Sequence, residues 1–279
     1  RRVGGISLNK ILLRSLGDPG SSIVYYLPSE WRNILRENGF AVSEFRSSVY
    51  WSLYVLYIFA CGIINWTVTF FKNIKDLIVP VAEPCGRYAY FSGLQKNNLP
   101  ALHDHGKSYD IFSWYLQSPV RNEQVSVLCH AIKDAKEHTF GDSSIRFIRS
   151  PVLRLRSVAA LFYSFTWFCK TGFLSLVSLL RCHWWNAVIF SEAVTASFIR
   201  LQESRNIAAD YLFHNSEWLH RPLWTYDAEK HGARIILYFY STNIESFKES
   251  DGTVKQTGNW DIINWPFYFC WLQYKSDFI

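Results

Sequence analysis

The sequence lacks methionine, and it also lacks the paired cysteines that zinc and disulfide sites require. None of its 279 residues is Met, and it begins at an arginine within ordinary sequence, so we interpret the chain as a piece of a longer protein. Its six cysteines are scattered without a C-x-x-C pair. We therefore expect neither a zinc site nor a disulfide framework, and the cysteine usage favours a reducing, cytoplasmic location.

Several catalytic motifs are missing as well. The sequence contains no G-x-G-x-x-G, no Walker loop, no G-x-S-x-G elbow and no H-E-x-x-H, which disfavours simple dinucleotide, P-loop, serine-hydrolase and zincin sites. His103 and His105 flank Asp104, but a metal ion needs at least one further ligand from elsewhere in the chain. We expect no metal and no cofactor.

Long blocks of one charge are also absent. The net charge of +6 is spread along the chain, so we expect no nucleic-acid partner. A basic surface of this kind suits anionic partners, including nucleotide sugars and anionic lipid.

Hydrophobic residues are abundant, at 49% of the chain, and 18% of all residues are aromatic. This composition supports a large core and excludes general disorder. Val49–Phe71 carries no charge and is long enough to cross a bilayer as a helix. Val158–Leu180 is interrupted by Lys170 and Gly172 and is bordered by Arg154, Arg156 and Arg181. Core helices, helices at a membrane surface and spanning helices are all compatible with these two stretches.

The most informative stretch is Ile207–Glu245, where a strand, a helix and a strand follow one another. Ala209–Phe213 predicts a buried strand, Glu217–His231 a helix that stops at Gly232, and Arg234–Tyr240 a second strand. Such a βαβ unit has parallel strands. Ligands of parallel sheets bind beyond the carboxyl ends of the strands.

The candidate site residues follow these two predicted strands. His214 is the candidate base, because imidazole titrates near neutral pH. Neutral polar side chains at both strand ends are suited to hydrogen-bond a polyol, and an imidazole and a guanidinium follow one turn further on. These candidate substrate-binding residues are Asn215, Ser216, His220, Arg221, Ser241, Thr242 and Asn243.

The remaining pattern predicts an α/β protein with a Rossmann-like parallel sheet, flanking helices and two long apolar helices. Further strands are predicted at Ser22–Leu27, Phe40–Phe45, Arg87–Ser92, Tyr109–Leu116, Ile145–Ile148 and Phe267–Trp271. Further helices are predicted at Trp31–Asn38, Val125–Lys136 and Trp184–Glu203.

The run from His214 to Trp224 (HNSEWLHRPLW), with Tyr238–Asn243 and Asn264–Pro266, resembles bacterial polysaccharide biosynthesis PFTS-motif proteins. The resemblance covers Asp210 to Ile279 and extends weakly to Arg87–Pro100. It implies a glycosyltransferase of the GT-B type, of which this chain is the N-terminal half. Residues 1–266 would form the acceptor-side domain, and 267–279 the connection to a C-terminal domain that holds the nucleotide sugar.

The activity implied by this resemblance is sugar transfer to a glycan or lipid-linked acceptor at the inner membrane, with the protein cytoplasmic or peripheral there. His214 would act as base, and the fragment alone would be inactive. Two alternatives stay open. One is a non-enzymatic membrane protein, in which both apolar stretches span the bilayer. The other is a carbohydrate-binding or scaffold domain without catalysis.

Overall fold

The computed structural model describes residues 27–79, 87–94, 99, 111–132, 138–140, 142–148, 155, 157–214, 220–239 and 264–269. These residues belong to two compact units. We call Arg1–Lys72 with Phe162–Val194 the helical unit, and Asn73–Leu161 with Thr195–Ile279 the sheet unit. The division does not decide whether residues 1–266 act as one acceptor-side domain, so that assignment stays a prediction. The expected connection at 267–279 is described only as far as Phe269.

The sheet unit is built on a seven-stranded sheet. In chain order its strands are β1 (Arg87–Phe91), β2 (Val125–His130), β3 (His138–Phe140), β4 (Ser143–Phe147), β5 (Asp210–His214), β6 (Arg234–Tyr238) and β7 (Phe267–Phe269). Their spatial order is β3-β4-β2-β1-β5-β6-β7. All neighbours are parallel except β3, which runs antiparallel to β4 at the edge. The six parallel strands have the order of the dinucleotide-binding Rossmann fold, so the predicted α/β class is confirmed.

Helices cover both faces of this sheet. On one face the helix α3 (Ile111–Gln117) places Phe112 and Tyr115 against alternate strand residues such as Phe91 and Leu212. On the other face the cluster includes Trp224 and Ala228 of the helix α6 (Trp224–Lys230). Strands buried on both faces read as continuous apolar runs instead of alternating patterns, which is the pattern of β1, β2, β5 and β6.

The predicted βαβ unit is confirmed, with one correction. Strands β5 and β6 pair in parallel with His214 opposite Tyr238, and Gly232 ends α6 at a backbone φ of 88°. The helix begins at Trp224 instead of Glu217. Residues 221 and 222 precede it in non-helical conformation, and Thr225 Oγ1 donates to the Pro222 carbonyl at 2.7 Å. Proline has no N–H for an internal helical bond, so it favours a start near this point.

Three predicted elements were wrong. Tyr109–Leu116 is not a strand, because Ile111–Gln117 is helix α3. Val125–Lys136 is not a helix, because Val125–His130 is the central strand β2. Phe40–Phe45 is not a strand, since the helix α2 (Glu44–Ile78) begins within it and only Val42 forms an isolated bridge.

The other elements agree with their predictions where the structure describes them. The helices α1 (Ser29–Glu37) and α5 (Trp185–Arg200), and the strands β1, β4 and β7, lie within the predicted stretches or within two residues of them. The helix α4 (Val158–Leu180) has the predicted bounds. The strand predicted at Ser22–Leu27 lies outside the described residues except for Leu27. Strand β3 was not predicted.

The helical unit packs α2, α4 and α5 along a shared seam. Trp66 stacks on Phe168 with ring centroids 3.9 Å apart, and its Nε1 donates to Ser164 Oγ at 3.2 Å. Gly62 lies against α5, where an added Cβ would come within 2.6 Å of Phe190 Cδ1. Small residues allow such a close approach between helices. Helices α2 and α4 are both long and apolar enough to cross a membrane by length and composition.

The turn between α4 and α5 has the hydrogen bonds of a Schellman motif. Cys182 N donates to the Leu179 carbonyl at 3.0 Å, and His183 N to the Ser178 carbonyl at 2.8 Å. This motif places one residue in the left-handed region, which usually selects glycine. Gly39 and Gly232 hold this position after α1 and α6, whereas Cys182 adopts it with a φ of 61°.

Candidate functional site

The strand order creates one reversal point in the sheet, between β1 and β5. From there β2 and β4 continue to one side, and β6 and β7 to the other. In open α/β sheets the ligand crevice lies at such a reversal, beyond the carboxyl ends of the two strands. These ends are Phe91 and His214. We call this region the β1/β5 crevice.

His214 crosses the β1/β5 crevice to the turn that follows β1. Its Nε2 lies 3.1 Å from the carbonyl oxygen of Gly93. A carbonyl only accepts hydrogen bonds, so Nε2 is the donor, and in the neutral ring Nδ1 carries no proton. Nδ1 is buried in this conformation.

The turn after β1 explains why this contact forms. Ser92 N donates to the Leu212 carbonyl at 2.9 Å, which extends the pairing of β1 with β5 by one residue. Gly93 then adopts a φ of 75°, a conformation that L side chains rarely adopt. The chain therefore turns sharply at the end of the strand and directs the Gly93 carbonyl toward His214.

Aromatic rings lie beside His214 on the face that α3 covers. The His214 and Tyr238 rings are 6.3 Å apart, and Trp114 of α3 lies 6.1 Å from Tyr238 and 4.5 Å from Phe269. Tyr238 is buried in the core, so of these rings the half-buried Trp114 is the one nearest His214 that offers an accessible face. The sequence pointed to Tyr238 as an aromatic residue near the site but did not single out Trp114, because the proximity of Trp114 depends on the sheet order.

His130 is a second histidine at this edge, at the end of β2, and the sequence analysis missed it. It is buried, and its Nδ1 accepts a hydrogen bond from Ile132 N at 3.1 Å. Its ring lies 6.3 Å from that of Phe112. The predicted helix at Val125–Lys136 concealed its place at a strand end. The sequence did contain a signal for His130, since it is a histidine at the end of an uncharged run that is rich in apolar residues.

Of the predicted site residues, three are described by the structure. His214 lies in the β1/β5 crevice, while His220 and Arg221 lie in the segment that enters α6. The other five lie outside the described residues; they are Asn215, Ser216, Ser241, Thr242 and Asn243. The binding roles of all these residues stay predictions.

Arg221 is engaged by α6 itself. Its Nη2 donates to Glu229 Oε2 at 2.6 Å, its Nε donates to Thr225 Oγ1 at 2.9 Å, and its guanidinium lies 3.9 Å above the Tyr226 ring. The side chain is 6% exposed. The Glu229 carboxylate offsets its charge, so these contacts brace the start of the helix.

An ion pair between Asp210 and Arg234 lies at the opposite, amino-terminal edge of the sheet. Asp210 has no exposed surface, and it accepts from Arg234 Nε at 2.7 Å, from Arg234 Nη2 at 2.6 Å and from the Tyr115 hydroxyl at 2.5 Å. Burial, together with the neighbouring carboxylate, raises the pKa of Tyr115 well above its ordinary value. The hydrogen bond to Asp210 raises the pKa of Arg234. This cluster joins α3, β5 and β6 and is structural.

Among the residues that the structure describes, no group of three or more His, Cys, Asp or Glu is placed to hold a metal ion. His103 and His105 lie outside the described residues.

Residues 162–279 match a family model described as Polysaccharide biosynthesis PFTS motif protein. The match covers less than half of the 279-residue chain and includes most of α4, all of α5 and α6, and strands β5 to β7. It begins well before Asp210, where the resemblance seen in the sequence started. No curated protein and no solved structure matches the chain. The family match supports a role in polysaccharide biosynthesis.

Proposed function

We propose that this chain is part of a glycosyltransferase-like protein of the GT-B type in bacterial surface-polysaccharide biosynthesis. It would transfer a sugar from a nucleotide sugar to a glycan or lipid-linked acceptor at the membrane. The observation that carries the proposal is the β1/β5 crevice, where the Rossmann strand order brings His214 to the turn after β1. The family match over residues 162–279 supports the pathway. The nucleotide sugar itself would bind mainly to a further C-terminal domain.

The chemistry requires removal of a proton from the acceptor. An acceptor hydroxyl oxygen forms a bond to the anomeric carbon of the donor sugar, and the bond from that carbon to the nucleotide phosphate breaks. The phosphate leaves with the bonding electron pair, and the hydroxyl proton passes to a base. A neutral hydroxyl is a poor nucleophile, so a base within hydrogen-bond reach of it accelerates the reaction. His214 is our candidate.

The contact between His214 and Gly93 sets a condition on this role. In the described conformation Nε2 donates to the Gly93 carbonyl and Nδ1 is buried. Either the ring turns when an acceptor enters the crevice, or His214 acts only by holding the turn after β1. The two roles predict different behaviour in variants that keep or lose the hydrogen bond.

His214→Gln is the variant that separates these roles, tested in the full-length protein with a labelled nucleotide sugar and isolated membranes as acceptor. A glutamine amide donates a hydrogen bond as Nε2 does but does not act as a base near neutral pH. If His214 is the base, Gln and Ala variants both lose about 100-fold or more in the transfer rate, and the acidic limb of the pH profile disappears. His231→Gln is the matched control, since His231 contacts Ser204 at 3.3 Å, away from the crevice.

Three other outcomes would each contradict the assignment of His214 as base or the transferase proposal. If His214→Gln keeps full activity and His214→Ala is inactive, then His214 holds the turn after β1 and is not the base. Full activity in His214→Ala would remove it from the site. The full-length wild-type protein could also bind glycan without a nucleotide sugar and show no transfer. This result would contradict the transferase proposal and favour a carbohydrate-binding domain. That alternative rests on the half-buried ring of Trp114, which packs against Tyr238 beside His214.

A further inference from the structure

The outward surface of the helical unit is apolar. On α2 the exposed side chains include Leu53, Leu56, Ile64, Val68 and Phe71, each close to half exposed or more. On α4 they include Phe162, Phe173, Leu174 and Leu180. A water-soluble protein rarely exposes contiguous apolar surface on this scale, and larger patches mark interaction sites.

Three serines of this unit lie inside, whereas Ser52 and Thr166 are exposed. Ser47 and Ser164 have no exposed surface, and Ser175 is buried. Trp66 Nε1 donates to Ser164 Oγ between α2 and α4. Buried small and polar residues beneath an apolar exterior are the arrangement of helices that pack in a bilayer, where apolar contact between helices has no advantage over contact with lipid.

The pattern on α2 argues against a helix lying flat on the membrane surface. Its buried seam is narrow and contains Trp51, Val55, Phe59, Gly62 and Trp66. A helix in the interfacial plane needs a strongly polar or charged face. From Ser47 to Phe71 there is no charged residue on any face.

The lengths fit a crossing. At 1.5 Å per residue the uncharged stretch of α2 is about 37 Å long, and α4 with its 23 residues is about 34 Å. The hydrocarbon core of a bilayer is about 30 Å thick.

Basic residues outnumber acidic ones near the ends of the apolar helices. Arg46, Lys72, Lys75 and Arg181 lie there, beside Glu44 and Asp76 at the two ends of α2, and Glu192 lies within α5. The basic side chains are placed to meet anionic headgroups. Trp184 and Trp185, stacked 3.9 Å apart next to Arg181, are typical of the interface.

Lys170 is the one charged residue within α4. Its side chain is exposed. It lies near the middle of the helix, about 15 Å from the nearer end, so placing its ammonium in the bilayer is the main cost of inserting α4.

We propose that α2, α4 and α5 are embedded in a bilayer containing anionic lipid, with α2 spanning the hydrocarbon core and the α4–α5 hairpin inserted beside it. This goes beyond sugar transfer and does not depend on it. It selects the spanning arrangement from the three that the sequence left open.

Native cysteines provide the first test. Cys169, within α4, and Cys182, in the turn after it, are both exposed in the structure. Two variants of the full chain each keep one of these cysteines and no other. Each variant is reconstituted in opened vesicles of phosphatidylcholine and phosphatidylglycerol and is treated with a charged maleimide. Insertion predicts that Cys182 is labelled at least tenfold faster than Cys169, and that detergent denaturation equalises the two rates. Equal labelling in folded protein on vesicles would overturn the proposal.

Carbonate extraction of membranes from expressing cells is the second test, and it uses the wild-type cysteines. Spanning helices stay in the pellet at alkaline pH, whereas peripheral proteins are released. The double variant Leu56→Lys/Ile64→Lys should lose most of the pelleted protein. Ile34→Lys is the matched control, because it makes the same change at an exposed apolar position of α1 and should leave the pelleted fraction unchanged.

Release of the wild-type protein by carbonate would contradict spanning and leave peripheral binding. Recovery from the cytosol as a lipid-free oligomer, with Cys169 protected, would show that a second copy covers the surface. Either result is independent of transfer activity, so failure of this inference is distinguishable from failure of the proposed function.

Discussion

At the scale of single residues, the strongest constraint on the sheet unit is the buried carboxylate of Asp210. Arg234 forms two charge-assisted hydrogen bonds to it, and Tyr115 adds a third. A buried charge that loses its partner is strongly destabilising, whereas a pair that stays intact contributes little net stability. These residues lie at the amino-terminal edge of the sheet, away from the β1/β5 crevice. The cluster therefore has a structural role and needs no catalytic one.

Arg234→Ala should therefore destabilise the protein far more than Tyr115→Phe. The first leaves Asp210 without its cation, at a cost of about 3 kcal/mol, the lower end of the usual range because 36% of the Arg234 side chain is exposed and water screens the pair. The second removes one hydrogen bond to a carboxylate, at a cost of about 1.5 kcal/mol. Denaturant unfolding of the sheet unit measures both. Equal losses would contradict this account of Asp210.

At the scale of elements, long amphipathic or uniformly apolar stretches were predicted correctly as helices. For short buried segments, the sequence did not distinguish a helix from a strand. The bounds of α4 were correct because its apolar stretch is long and flanked by arginines. The stretch Tyr109–Leu116 was misread because α3 has only seven residues, too few for a period to be decisive. Val125–His130 was misread because a central parallel strand has no alternation.

Two glycines test the packing of the helical unit as a matched pair. A Cβ at Gly62 would lie 2.6 Å from Phe190 Cδ1 and 3.1 Å from Ser191 N, whereas at Gly172 the nearest atom, Phe190 Cζ, is 3.8 Å away. Gly62→Ala should therefore push α2 from α5 and cost about 1–3 kcal/mol through overpacking. Gly172→Ala should be neutral or stabilising by up to about 1 kcal/mol, since alanine favours helix.

Thermal unfolding of the two glycine variants in a mild detergent gives the comparison. Both substitutions add the same methyl group to a helix that faces Phe190, so their difference isolates the close approach. A lower melting temperature for Gly172→Ala than for Gly62→Ala would show that the seam between α2 and α5 is packed differently.

At the scale of the whole molecule, the candidate site was not fully predictable from any single stretch of sequence, because it joins residues that are distant in the chain. His214 was predicted from its place after an apolar run, and that place is confirmed. Its partner Gly93 is 121 positions away in the sequence, and the two meet only because β1 and β5 are neighbours in the sheet. Pairing between distant parallel strands is set by how helices cover both faces, so local patterns do not specify it.

The phenols buried in the sheet unit couple the stability of the whole fold to alkaline pH. Burial raises the pKa of Tyr88, Tyr115 and Tyr211, the last to about 12, and Tyr211 is flanked by the Ala208 amide and by Tyr88. In the unfolded chain these phenols ionise near pH 10. Because the folded pKa values are the higher ones, the stability they contribute is intact below pH 10 and is lost as the pH rises through the folded values.

We therefore expect the free energy of unfolding to fall steeply above pH 10, with Tyr211 alone accounting for roughly 3 kcal/mol between pH 10 and pH 12. Urea midpoints measured from pH 8 to pH 11.5 test this. Tyr211→Phe should lower stability at pH 8, because the Ala208 amide loses its acceptor, and should flatten the decline above pH 10. Tyr226→Phe, at a ring 39% exposed, is the control and should leave the slope as it is. If Tyr211→Phe declines as steeply as the wild type, then the ionisation of this buried phenol does not drive alkaline unfolding, and lysine deprotonation at the surface becomes the better explanation.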